Sequence, residues 1–145
     1  MIKNIKDISL NITHYNQIID LYSTFNLINK DILTFENFKK IINDLPNNHY
    51  ILLYCDINDN IIAGITLIIE QKLIHNGKCV GHVEDFVVIG SEQKKGIGSL
   101  LLGRVKMICE KSNCYKIILD CDYCLENYYI KKGFNKKGSY MGYYF

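Results

Sequence analysis

A chain of 145 residues is long enough to bury a self-sufficient core, and one domain is expected over residues 1–145. With 48% hydrophobic and 22% charged residues it has the balance of a globular protein, and a net charge of +2 with lysines spread along the chain argues against nucleic acid as a partner. The longest apolar run, Ile61 to Ile69, is far short of the roughly 20 residues that cross a bilayer, and the N-terminus lacks the apolar run and small-residue cleavage site of a secretory signal. The chain is therefore expected to be soluble and cytoplasmic, with no membrane partner and with its cysteines as free thiols.

A short N-terminal strand is predicted around Lys3 to Leu10. Tyr15, Ile18, Ile19, Tyr22 and Phe25 then recur at helical spacing and predict a first amphipathic helix. Thr34 is a natural N-cap for a second, with the stripe Phe35, Phe38, Ile41, Ile42 and Leu45, and Pro46 ends it. Tyr50 to Ile57 and Ile61 to Ile74, rich in β-branched and aromatic residues and split by Asn58-Asp59-Asn60, predict a hairpin. A turn at His75-Asn76-Gly77 leads into a third strand, Val80 to Ile89, which carries Glu84 and Asp85.

Gly96 and Gly98 follow, then apolar residues at Ile97, Leu100, Leu101 and Val105. This is strand, glycine turn, helix: the two glycines are expected to let successive backbone N–H groups converge at the positive end of the helix dipole, a place that holds phosphate. A further strand is predicted over Tyr115 to Asp120 and a short helix over Glu126 to Lys132, closed by Gly133 as a left-handed cap. The aromatic tail from Phe134 to Phe145 is expected to add one or two strands. The sum is an α/β (α+β) fold: a mixed, mostly antiparallel sheet of six or seven strands, with the strand after the glycine-turn helix parallel to its predecessor and helices on both faces.

Gln93-Lys94-Lys95-Gly96-Ile97-Gly98 matches Gln/Arg-x-x-Gly-x-Gly/Ala. It is neither the Rossmann fingerprint, since Leu101 stands where a third glycine belongs, nor a P-loop, which needs Gly-Lys-Ser/Thr; taken alone it is a weak signal that a tight turn with a helix cap also satisfies. Glu84 and Asp85 are neighbours on a strand, so their side chains leave on opposite faces unless the strand bulges. Cys109, Cys114, Cys121 and Cys124 include one C-x-x-C pair, but they fall on a helix and a strand end without paired knuckles, so no metal is expected. None of them has an evident base beside it, which speaks against a cysteine nucleophile.

The turn pattern and the order of elements resemble the GNAT superfamily of N-acetyltransferases. Within it the glucosamine 6-phosphate N-acetyltransferases are the nearer match, through Glu70-x-Lys72-x-Ile74-His75, Gly81-His82-Val83-Glu84-Asp85, Gln93 to Gly98, Asn113 to Cys121 and Tyr129-x-Lys131-x-Gly133-Phe134. The resemblance implies transfer of acetyl from acetyl-CoA to the 2-amino group of glucosamine 6-phosphate, for amino-sugar nucleotide synthesis, by direct attack in a ternary complex. It implies that the amides of Lys94, Lys95, Gly96, Ile97, Gly98 and Ser99, with Gln93, hold the pyrophosphate. Phe86, Val87 and Val88 would line the pantetheine arm opposite Ile118 to Cys121, and a backbone N–H near Phe86 or Val87 would polarise the thioester.

By the same resemblance Glu84 takes the ammonium proton, Asp120 aligns amine and cofactor, and Tyr129 serves the departing thiolate. Lys72, His75, Glu84, Asp85 and, loosely, Thr24 contact the sugar, while Tyr115 and Lys116 reach it from the partner of an intimate homodimer with shared active sites. Two positions depart from the pattern: Leu125 where the family has Asn, and a terminus, Gly142-Tyr143-Tyr144-Phe145, with no basic residue for the phosphate. The same features also fit a GNAT enzyme for another amine (a polyamine, an antibiotic, a protein N-terminus) or a non-catalytic acyl-CoA sensor.

Overall fold

The computed structural model describes all 145 residues. Five strands form one sheet in the order β1 (Ile2–Asn4), β2 (His49–Cys55), β3 (Ile61–Gln71), β4 (Cys79–Val88), β5 (Cys114–Ile118). The first four pair antiparallel and β5 lies parallel to β4, so the sheet is mixed and mostly antiparallel as expected.

The helices α1 (Ile12–Tyr22) and α2 (Phe35–Asp44) cover one face, and α3 (Ile97–Lys111) covers the other. Strand alternation divides the apolar residues between them. Leu53 packs with Ile18, Ile19, Phe38 and Ile42 under α1 and α2, whereas its neighbour Leu52 packs with Ile65, Leu67, Leu101 and Val105 under α3. The short helix α4 (Glu126–Ile130) adds Tyr129 to the α3 side.

Local signals set several boundaries. Thr34 caps α2 by accepting from the Asn37 N–H at 3.3 Å. Leu45 is already extended before Pro46, whose ring excludes the helical conformation from the residue that precedes it. Gly133 adopts φ 87, the left-handed cap expected after α4.

Other expectations are corrected. The sheet has five strands rather than six or seven, because residues 134–145 make no strand. Gly138 and Gly142 interrupt that tail and its large residues, Tyr140, Met141, Tyr143, Tyr144 and Phe145, are exposed, so no apolar face holds it to the free edge of β5. The first strand stops at Asn4, where Ile5–Asp7 turn inward and bury Ile5. Phe25 lies beyond the end of α1 and is exposed, and Ile41 of the predicted α2 stripe faces outward. β3 ends at Gln71, after which His75 and Asn76 form a left-handed turn with φ 55 and 57. No helix is long and apolar enough to cross a membrane.

Candidate active site

The site is built where β4 and β5 diverge. Their parallel pairing runs from Cys79↔Cys114 to His82↔Ile118 and stops there. From Val83 to Val88, β4 is paired only with β3, so its other edge opens onto a cleft. β4 also bulges within that stretch: Thr66 pairs with Glu84 and Gly64 with Val87, which sets Asp85 and Phe86 together against Ile65. Asp85 takes φ 46 at the bulge.

The bulge answers the alternation problem. Glu84 stands opposite Thr66, and the charge of Asp85 falls on Glu84, on His49 of β2 and on Tyr22 of α1, so both acids act on the α1 side of the sheet. The Tyr22 hydroxyl is buried there without a hydrogen-bond partner. Burial first and the Asp85 charge second hold that phenol far above its ordinary range, so it remains a neutral donor.

Asp120 joins the two halves of the cleft. β5 ends at Ile118, so Asp120 lies just past the strand rather than on it as expected. Burial pushes the Glu84 carboxyl above the usual carboxylate range, with Asp120 and then Asp85 adding to the shift while His82 opposes it. Tyr129 is 8% exposed, and burial, followed by Cys121, Tyr128 and Asp120, pushes its phenol up to about 12. A Glu84 carboxylate that serves as a base loses activity as pH falls through its raised pKa. Asp120→Asn removes the largest charge holding that pKa up, so the acid limb of a kcat/KM profile should move to lower pH; an unmoved limb would separate the two residues.

The glycine turn differs in detail from expectation. Its left-handed positions are Lys94 (φ 63) and Gly96 (φ 87), not Gly96 and Gly98. Gly98 sits inside the first turn of α3, where its missing side chain admits neighbours instead. A Cβ there would lie 2.7 Å from the Tyr128 hydroxyl and 3.1 Å from the Phe86 ring. Gln93 donates to the Val88 carbonyl at 3.1 Å and ties the turn back to β4. The N-terminus of α3 has no side-chain cap, so its first amides are free to receive an anion, and Lys94 and Lys95 stand exposed beside them. Lys95 is paired with Glu92 at 2.9 Å. An uncapped helix end beside a strand edge left unpaired fits a pyrophosphate followed by a peptide-like arm.

Of the expected lining residues, Phe86 and Val88 pack against the α3-side core and Val87 against the α1-side core. Burial pushes the Tyr128 phenol up, and the neighbouring Ser99 hydroxyl opposes that shift.

The expected sugar contacts separate into two groups. Glu84 and Asp85 are at the cleft, but His75 stacks on Tyr115 with ring centroids 3.9 Å apart, and the Lys116 ammonium stands 5.5 Å from the centre of that same ring. Lys116 pairs with Val80, four residues before Glu84 on β4, which at a strand's rise is about 13 Å away. Lys72 is engaged by Glu70. Thr24 donates to the Leu21 carbonyl at 2.8 Å and so finishes its own helix.

Three residues at the site had no role in the expectations from sequence: Tyr22, Tyr128 and His82. Of these His82 alone carried a signal, since it lies in the Gly81–Asp85 segment of the resemblance and two residues before Glu84 on β4. No group of three or more His, Cys, Asp or Glu side chains is placed to hold a metal ion. Cys109 is buried against Cys114 and its thiol is pushed up to about 12 by that burial, too high for a thiolate nucleophile at neutral pH. Two shallow cavities, one beside Gln17 and Asp20 and one beside Arg104 and Tyr50, touch none of Glu84, Asp120 and Tyr129.

A mixed sheet with strands diverging beside an uncapped helix end is the architecture of an acetyltransferase, and the chain belongs to the acetyltransferase (GNAT) family, whose model matches residues 15–134. It is 39% identical over 104 residues to a probable glucosamine 6-phosphate N-acetyltransferase 2 of Oryza sativa subsp. japonica, covering 70% of this chain and 63% of that protein. It is 30% identical over 136 residues to the glucosamine 6-phosphate N-acetyltransferase of Candida albicans, covering 91% of this chain and 90% of that one. The crystal structure of glucosamine-6-phosphate N-acetyltransferase from Arabidopsis thaliana superposes with a TM-score of 0.82 at 26% identity, covering 100% of this chain and 99% of that one. The chain thus spans somewhat less than two thirds of the rice protein and nine tenths of the Candida protein.

Proposed function

We propose that this chain is a single catalytic domain, residues 1–145, that transfers acetyl from acetyl-CoA to the 2-amino group of glucosamine 6-phosphate. The observation that carries the reading is the cleft between β4 and β5, with the uncapped N-terminus of α3 at one end and Glu84, Asp120 and Tyr129 around it. The likeness to the Candida and Arabidopsis proteins supports the choice of amine.

Acetyl-CoA, when bound, supplies the activated acetyl group. The amides of residues 94–99 hold its pyrophosphate, and the free edge of β4 at Phe86 and Val87 offers a backbone N–H to the acetyl oxygen, where developing negative charge is stabilised. Glu84, its affinity for protons raised by burial and by Asp120, takes a proton from the substrate ammonium and leaves the amine free to attack. Asp120 positions the amine against Glu84. Tyr129 faces a harder task than an ordinary phenol. Full transfer from a phenol near 12 to a thiolate near the usual 8.5 is uphill by about 5 kcal/mol, so Tyr129 stabilises the leaving sulfur by donating a hydrogen bond.

The separation of Lys116, Tyr115 and His75 from Glu84 supports a homodimer in which a second copy brings these groups to the sugar phosphate. Mixing Glu84→Gln and Lys116→Glu chains should then restore activity that neither has alone, to about a quarter of the wild-type rate if subunits pair at random. No restoration means that each site is built from one chain.

Thiol release from acetyl-CoA is the direct assay, run with glucosamine 6-phosphate, glucosamine and a peptide amine in parallel. Turnover confined to the phosphosugar sustains the proposal. Turnover only with another amine moves the substrate within the family, and cofactor binding without turnover makes the chain a sensor.

A further inference from the structure

Glu84 needs a way to lose the proton it takes, and this question rests on the acetyl-transfer reading above. β4 alternates, so Val80, His82 and Glu84 lie on one face, with His82 and Glu84 about 7 Å apart along the strand. Across the sheet the row through His82 reads His49, Ile68, His82, Ile118, which flanks the imidazole with an aliphatic side chain on each side. Its polar partner sits on the diagonal: His82 Nε2 is 2.7 Å from Glu70 Oε2 on β3, while Glu70 Oε1 accepts from Lys72. Lys72 first, and His82 second, hold the Glu70 carboxyl below the usual carboxylate range. A fixed carboxylate at Nε2 sets the tautomer, with the proton on Nε2 and Nδ1 left as the ring's acceptor.

We infer that His82, oriented by Glu70, is the positioning and relay residue through which the proton taken up by Glu84 leaves the site. The N–H bond of the substrate ammonium breaks as the O–H bond of Glu84 forms. That O–H bond then breaks, directly or across one water, as an N–H bond forms at His82 Nδ1. The imidazolium faces the Glu70 carboxylate at Nε2 and returns its proton to bulk water, which the side chain reaches because it is 28% exposed. No electron changes hands. The groups acting on Glu84 are Asp85 and His82 from β4 and Asp120 after β5, and of these His82 alone favours the carboxylate. The charged and titratable groups nearest His82 in the sheet are Glu70 of β3, Lys72 just past the end of β3, His49 two strands away on β2 and Lys116 of β5.

His82→Gln tests this, because glutamine can still donate to Glu70 but cannot carry a proton. At saturating substrates kcat should fall about tenfold, the KM for acetyl-CoA should hold, and added imidazole should restore some of the rate. Glu70→Gln should lower kcat in the same direction while leaving His82 in place. A His82→Gln protein with wild-type kcat and pH profile overturns the relay, and so does a folded variant whose loss imidazole does not repair. A readout independent of turnover is the titration of Glu84 followed by carbon NMR in glutamate-labelled protein. Replacing His82 by Gln should move the Glu84 midpoint upward, and an unmoved midpoint overturns the coupling whether or not the chain acetylates a sugar. A wild-type chain that releases no thiol with any amine overturns the acetyl-transfer reading instead, and the relay with it, while the coupling is still read by the titration.

Discussion

Glu84→Gln is expected to lower kcat/KM for glucosamine 6-phosphate by about 10²–10⁴-fold, the range that a positioned general base contributes. The substitution keeps the shape of the side chain and its place opposite Thr66 but removes the carboxylate assigned to take the ammonium proton. Two further signs distinguish this from a loss of packing. The acid limb of the pH profile, placed above the ordinary glutamate range by burial and Asp120, should vanish because no group remains to titrate there. Cofactor affinity, set at the α3 end of the cleft, should stay within about twofold. Activity that survives the change with the limb intact would remove Glu84 from the chemistry.

Gly98→Val should act at the other end. Even a Cβ at this position approaches the Tyr128 hydroxyl at 2.7 Å and the Phe86 ring at 3.1 Å, and the two extra methyl groups of valine have no room except by displacing both aromatics. Phe86 lines the cleft and Tyr128 covers the first turn of α3, so the displacement falls on the cradle itself. Overpacking of about 1–3 kcal/mol corresponds to a loss of about 5- to 150-fold in acetyl-CoA affinity, with kcat less affected once the cofactor saturates. Calorimetric titration with coenzyme A reads it directly, and an unchanged affinity would place the pyrophosphate elsewhere.

The regions of this molecule that were legible in the sequence are those specified within a few residues. Thr34 and Pro46 delimit α2, Gly133 takes its left-handed cap, and the Gln93–Gly98 segment opens α3, because each depends on the conformational limits of one or two side chains. The cleft was legible only as a family resemblance. What escaped depends on partners distant in sequence. The bulge at Asp85 follows from how β4 is registered on Gly64 and Thr66, and no alternation rule within β4 contains it. The work of Gly98 becomes visible only when Tyr128, 30 residues later, is seen above it. The left-handed conformation at Lys94 runs against the usual preference for glycine, and the tail from Phe134 to Phe145 has the aromatic content of strands although no neighbouring edge holds it. Asp120 leaves the sheet because the last β4–β5 pairing, His82↔Ile118, comes two residues before it.

The backbone at Asp85 carries a thermodynamic consequence. A residue with a Cβ at φ 46 is held in a conformation that costs about 1–2 kcal/mol relative to glycine. Glycine at position 85 would relieve that strain and lose the carboxylate with it. The chain therefore gives up a measurable fraction of a folding free energy of about 5–15 kcal/mol to keep one acid beside Glu84 at the bulge, a trade in which conformational stability is set against the placement of a carboxylate.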